Sequence, residues 1–249
     1  MVGVLILLLG YCALQSFGGG GLLSGGGGQP ANAPAGQSTL STENERVLSG
    51  VLLSTEQVWT ELFRRTGKTY DAPQMIAYSN TDQSGCGVAQ AAMGPFYCPT
   101  DQRIYIDPIF FDELSRRFGA PGDFAQAYVI AHEVGHHIQK LRGTLDQAQR
   151  TQGSVSQSEG NQVQVSVELQ ADCYAGVWAA NARDERGSIL EAGDIEEGMR
   201  AAEAIGDDTL QQQSQGRVRP ESFTHGTSAQ RMAALRRGLE SGDPASCQF

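Results

Sequence analysis

The chain has 249 residues, a formal net charge of −10 and 28 Asp+Glu against 18 Lys+Arg. An acidic chain with no basic block lacks the clustered cations that phosphate contacts need, which excludes nucleic acid as a partner and charge-driven binding to anionic lipid. With 40% hydrophobic residues, the composition also excludes a disordered or collagen-like chain.

Residues 1–42 carry no Asp, Glu, Lys or Arg, so every charged side chain lies in residues 43–249. Residues 2–17 (VGVLILLLGYCALQSF) are almost wholly apolar, at the short limit of the roughly 17–25 residues a spanning helix needs. Residues 1–17 therefore read as an N-terminal hydrophobic helix, a single-pass membrane anchor or signal segment. No Lys or Arg precedes it, so flanking charge gives no orientation. Residues 18–42 are Gly, Ser, Pro, Ala and Gln without a period and read as a flexible tether. Residues 43–249 are long enough to bury a full core.

Within that domain, Val47, Leu48, Val51, Leu52, Val58, Trp59, Leu62 and Phe63 recur at helical spacing, predicting one helix or two over 43–66. Gln74–Tyr78 predicts a short strand, and Phe96–Cys98 and Arg103–Asp107 predict two more joined by a turn. Residues 109–118 predict a helix. The next helix is capped by Asp123, carries an apolar stripe from Ala127 to Leu141 and stops at Gly143. A helix tail and loop are expected over 144–160, a second long helix over 161–182, and a shorter helix after Asp194 that ends at Gly206. The last helix, about 228–240, starts at Thr227 with Gln230 completing a capping box. The expected fold is α+β, mostly α-helical, with a small antiparallel sheet.

Four of the five cysteines lie in the charged domain. No CxxC pair exists, so a zinc ribbon is not indicated. In an exported domain an even count favours disulfides. The pairing expected is Cys86–Cys98, closing a short Gly-rich loop, and Cys173–Cys247, pinning the C-terminus.

Three of the four histidines fall in His132-Glu133-Val134-Gly135-His136-His137. Positions i and i+4 share a helix face, so His132 and His136 can present imidazole nitrogens to one metal ion, with Glu133 beside them as general base. This is the HExxH zinc-peptidase pattern. Catalytic zinc takes three protein ligands and keeps one position open. The long metzincin motif would continue with Gly at 139 and His at 142; Gln139 and Arg142 exclude it. Glu168 and Asp172 are again i and i+4, in an apolar, Ala-rich stretch where unpaired carboxylates would be costly. Glu168 is the expected third ligand, with Asp172 left to accept from the outer nitrogen of a ligand histidine. The rivals for that ligand are Asp172 itself, His225 and His137; the last points about 100° off the HExxH face. His225, just before the last helix, is a candidate donor to the oxyanion of a tetrahedral intermediate.

HEVGHH (132–137), ELQADCYAGVWA (168–179), THGTSAQR (224–231) and CPTDQRIYID (98–107) together resemble the bacterial putative neutral zinc metallopeptidase family, over about residues 44–249. The resemblance implies a zincin-like, gluzincin-type domain, with one Zn2+ on His132, His136 and Glu168, Glu133 as catalytic base, and an N-terminal anchor and Gly-rich tether. The expected function is hydrolysis of peptide bonds by a zinc-activated water, on a peptide or protein substrate, by a domain exported to the bacterial periplasm or cell surface. The Arg103–Asp107 strand is a candidate edge for an extended peptide. The alternatives are a membrane-tethered scaffold with a structural or vestigial zinc site and a zinc amidase acting on cell-wall amide bonds.

Overall fold

The computed structural model describes residues 42–248. The expected anchor lies outside that range, as does the tether apart from Thr42, which opens the first helix. Among the described residues no helix is long and apolar enough to cross a membrane.

The elements run α1 (Thr42–Arg65), β1 (Gln74–Ala77), β2 (Thr81–Ser84), β3 (Gly87–Gln90), β4 (Phe96–Cys98), β5 (Arg103–Ile106), α2 (Ile109–Arg116), α3 (Asp123–Arg142), α4 (Thr144–Gln152), α5 (Gln157–Asn181), β6 (Arg183–Asp184), β7 (Gly187–Ser188), α6 (Asp194–Ala204), α7 (Asp207–Gln215) and α8 (Ser228–Ser241). The fold is α+β and mostly helical. The first helix is single. Residues 144–160 are not a tail of α3, because Gly143 in the left-handed region breaks the chain into the separate helix α4. α5 starts four residues before the expected 161, since Ser156 and Glu159 form a capping box.

Asp123 and Asp194 are the first residues of their helices rather than the caps. Gly122 (φ +125°) and Gly193 (φ +106°) take the cap positions instead. The aspartates still place negative charge at the positive helix ends. The capping box at Thr227 and Gln230 forms as expected.

The main sheet has the order β1-β5-β4, with β4 antiparallel and β1 parallel to β5. The sheet is thus mixed rather than purely antiparallel, while the β2–β3 and β6–β7 hairpins are antiparallel. Arg103–Ile106 is consequently the central strand and not an edge; the edges are β1 and β4, of which β4 packs against α3. Side chains alternate across the sheet. Tyr97, Ile104 and Ile106 join the helical core, and Phe96, Cys98 and Tyr105 pack with Ala89 and Met93 under the β2–β3 hairpin.

Close helix crossings set the rest. A Cβ on Gly135 of α3 would lie 2.9 Å from the Ala171 carbonyl oxygen of α5. Gly176 of α5 and Gly238 of α8 meet backbone to backbone, where a Cβ would collide with the carbonyls of Leu235 and Cys173 respectively. Disulfides join Cys86 to Cys98 and Cys173 to Cys247. The second spans 74 residues, a loop whose closure is worth about 4 kcal/mol on chain entropy.

Candidate metal centre

The Gly135–Ala171 crossing brings the two expected ligand helices into register. His132, His136 and Glu168 offer ligand atoms that all lie within 4.8 Å of one another. Glu168 Oε2 is 3.1 Å from His132 Nε2 and 3.5 Å from His136 Nε2. Of the rival ligands, Asp172 is at the outer nitrogen of His132, His225 binds Asp207, and His137 faces away, bonded to the Tyr97 hydroxyl and the Asp71 carbonyl.

Outer hydrogen bonds fix the two rings. Asp172 Oδ1 is 2.7 Å from His132 Nδ1, and Gln139 Oε1 is 2.8 Å from His136 Nδ1. The Gln139 amide cannot turn over freely, because its NH2 donates to the Val167 carbonyl and to Gln170. Both Nδ1 atoms therefore carry hydrogen when the rings are neutral, and both Nε2 lone pairs face the Glu168 carboxylate. Gln164 donates to the other Glu168 oxygen at 2.8 Å. Two imidazole lone pairs and a carboxylate converging in a buried place suit a cation, and a His2Glu set suits catalytic zinc.

The electrostatics agree with that fit. Burial opposes an imidazolium at His132, yet Asp172 and Glu168 outweigh it and raise its pKa to about 10. His136 is also raised against burial, chiefly by Glu168. Burial would raise Glu168, but the two histidines hold it well below the ordinary carboxylate value. A metal ion bound between these groups would compete with the protons that the imidazoles otherwise attract. Glu133 behaves differently: burial dominates and raises its pKa, against the pull of His136 and His132. A carboxyl with raised proton affinity is suited to take up and pass on a proton.

Asp172 is 0% exposed and lies outside the converging group of His132, His136 and Glu168. It accepts from Tyr128 Oη at 2.6 Å and from Arg231 Nε and Nη2 at 2.9 Å each. Burial would raise its pKa; Arg231 and His132 together drive it far below the ordinary value. Arg231 and Tyr128 are neighbours of the candidate centre that the sequence does not single out. An arginine facing the apolar stripe of α8 is the one signal that could have found the first.

His225 is buried and lines the same cavity as His132, Glu133 and His136, a cleft of about 370 Å³. Its Nδ1 is 3.1 Å from Asp207 Oδ1. Asp207 Oδ2 also accepts from the backbone N–H of Thr224, His225 and Gly226. His225 Nε2 is buried and has no hydrogen-bond partner among the described residues.

A family model described as Putative neutral zinc metallopeptidase matches residues 2–249. The chain is 46% identical over 247 residues to Uncharacterized protein YpfJ of Escherichia coli (strain K12), covering 98% of this chain and 83% of that protein. It is 42% identical over 204 residues to Uncharacterized protein Rv2575 of Mycobacterium tuberculosis (strain ATCC 25618 / H37Rv), covering 78% of this chain and 66% of that protein. No solved structure matches.

Proposed function

The chain belongs to the putative neutral zinc metallopeptidase family, and from that membership we propose that it is a zinc-dependent peptidase with Glu133 as its catalytic base. The observation that carries this reading is the convergence of His132 Nε2, His136 Nε2 and the Glu168 carboxylate, with Glu133 on the same cavity wall. His132, His136 and Glu168 would hold the zinc. When bound, zinc supplies a Lewis acid for the scissile carbonyl and acidifies water.

The protein's own residues do the rest. Glu133 takes the proton of the attacking water and delivers it to the leaving amine nitrogen. His225, held through Nδ1 by Asp207 and lining the same cleft, is the donor to the developing oxyanion in this reading. Phe96 and Tyr97 of β4 line the cleft, and an extended peptide adds along that strand by main-chain hydrogen bonds. Residues 1–17 anchor the domain to a membrane, with the domain exported to the periplasm or cell surface. Two disulfides support an oxidising compartment.

The test is zinc analysis of the purified chain together with a peptide-library digest. One zinc per chain and chelator-sensitive cleavage are expected. Glu133→Gln should keep the zinc and lower kcat by about 10²-fold or more. Zinc bound without cleavage of any peptide, or full cleavage by Glu133→Gln, would sink the reading. Cleavage of cell-wall amides instead of peptides would transfer the site to the amidase class.

A further inference from the structure

The β2–β3 hairpin turns at Gly85 and Cys86, and this tip reaches the catalytic cleft: Cys86 lines the cavity beside Phe96, Tyr97 and Thr100. Two of the ties that hold it there bear on the rim. One is the disulfide to Cys98, the last residue of β4. The other is Asp101, whose Oδ2 accepts from Gly85 N at 2.7 Å and from Tyr105 Oη at 2.7 Å. The body of the hairpin stays seated through the apolar cluster of Ala89, Met93, Phe96 and Tyr105. The disulfide thus joins the rim of the cleft to its strand, and its loss would leave the hairpin in place with a looser tip.

The two disulfides differ in access. Cys98, Cys173 and Cys247 are buried at 0%, 0% and 1% exposure, whereas Cys86 is part-exposed. The first pair thus offers one part-exposed residue to a thiolate from solvent, and the second offers none.

We propose that Cys86–Cys98 is a thiol-exchange site that sets the substrate affinity of the cleft, its reactant being a small or protein-borne dithiol; the second half of this rests on the peptidase reading. The dithiol's thiolate attacks Cys86 Sγ and forms a mixed disulfide there. The electron pair of the broken S–S bond goes to Cys98 Sγ, which takes a proton. The second thiol then attacks the mixed disulfide, closes the dithiol's own disulfide and frees Cys86 as a thiol. The cysteine pair gains two electrons and two protons, and the dithiol loses them. The loosened rim must then be ordered by each substrate, which raises KM.

The full zinc-loaded chain is treated with stepwise dithiothreitol, alkylated and mapped by mass spectrometry. Cys86 and Cys98 should be labelled about tenfold or more faster than Cys173 and Cys247. In Cys86→Ser/Cys98→Ser, amide exchange should quicken over residues 81–102 and stay unchanged in α3 and α5. Its KM should rise about three- to tenfold at unchanged kcat and zinc content. Equal labelling rates, unchanged exchange, or an unchanged KM each overturn the proposal. If neither form cleaves any peptide, the peptidase reading and the effect on affinity fall together, and the labelling order and exchange rates still decide the exchange site.

Discussion

Arg231 grips Asp172 with two nitrogens, Nε to Oδ2 and Nη2 to Oδ1, each at 2.9 Å, while both side chains are sealed from solvent. The pair solves a charge problem. Glu133, Glu168 and Asp172 are three buried carboxylates in one site. A zinc ion held by His132, His136 and Glu168 would balance two negative charges, and Arg231 balances the third. Arg231→Met should leave Asp172 uncompensated, costing about 3–5 kcal/mol of stability. Zinc affinity should fall about 10- to 100-fold as His132 loses its fixed ring. Arg231→Lys should recover only part of both, because an ammonium cannot match the two-pronged geometry. Urea unfolding and competition with a chelator measure the two effects; undiminished zinc affinity in Arg231→Met would show that Asp172 positions His132 without help.

At Gly135, α3 packs against the Ala171 backbone of α5 with no room for a side chain. Gly135→Ala should force the helices apart against the Ala171 backbone, at a cost of about 1–3 kcal/mol. The same shift should separate His132 and His136 from Glu168 and weaken zinc binding. Gly176→Ala serves as the comparison, since its clash is with α8. It should destabilise the protein, yet the folded fraction should bind zinc normally. Equal zinc loss in both variants would mean that global loosening, rather than the local crossing, governs the site.

Much of the metal centre was legible because it is written in local spacing. His132 with His136, and Glu168 with Asp172, are pairs one helical turn apart, and a turn is the same length in any fold. Thr227 with Gln230 was legible for the same reason. Arg231 was not, because its partner Asp172 is 59 residues away and only the α5–α8 packing joins them. Asp207 escaped likewise: it opens α7, a helix too polar (DDTLQQQSQ) to show an apolar period. The β2–β3 hairpin was missed because TDQS and GVAQ carry few β-branched or aromatic residues. The edge position of the sheet was misread since chain order makes Arg103–Asp107 follow its partner, and nothing local reveals that β1 adds in parallel on the far side.

His225 tests the division of labour in the cavity. Its Nδ1 is taken up by Asp207, and its buried Nε2 has no partner among the described residues. On the peptidase reading, an imidazole held this way would meet a group that arrives with substrate. His225→Gln should lower kcat about 10²- to 10³-fold, the usual loss for one oxyanion donor. Zinc content should not change, because His225 is not among the converging ligand atoms. Loss of zinc in this variant would move His225 from the oxyanion to the metal.

Asp207 gives the pH dependence its sign. Burial would raise its carboxyl, but the hydrogen bond and charge of His225 and the backbone N–H groups of His225 and Thr224 outweigh it and lower it below the ordinary 3.8. The fold therefore binds the charged form better than the unfolded chain does. The resulting stability is whole above about pH 5 and is lost as pH falls through the lowered folded value. Asp207→Asn removes this contribution at every pH. The difference in Tm between wild type and Asp207→Asn should be largest near neutrality and should shrink between pH 5 and pH 3. Other carboxylates titrate over the same range in both proteins, so they cancel in the difference. A Tm gap that stays constant down to pH 3 would mean that the neutral hydrogen bonds to the 224–226 backbone, which an amide oxygen can also accept, hold the His225 loop without the charge.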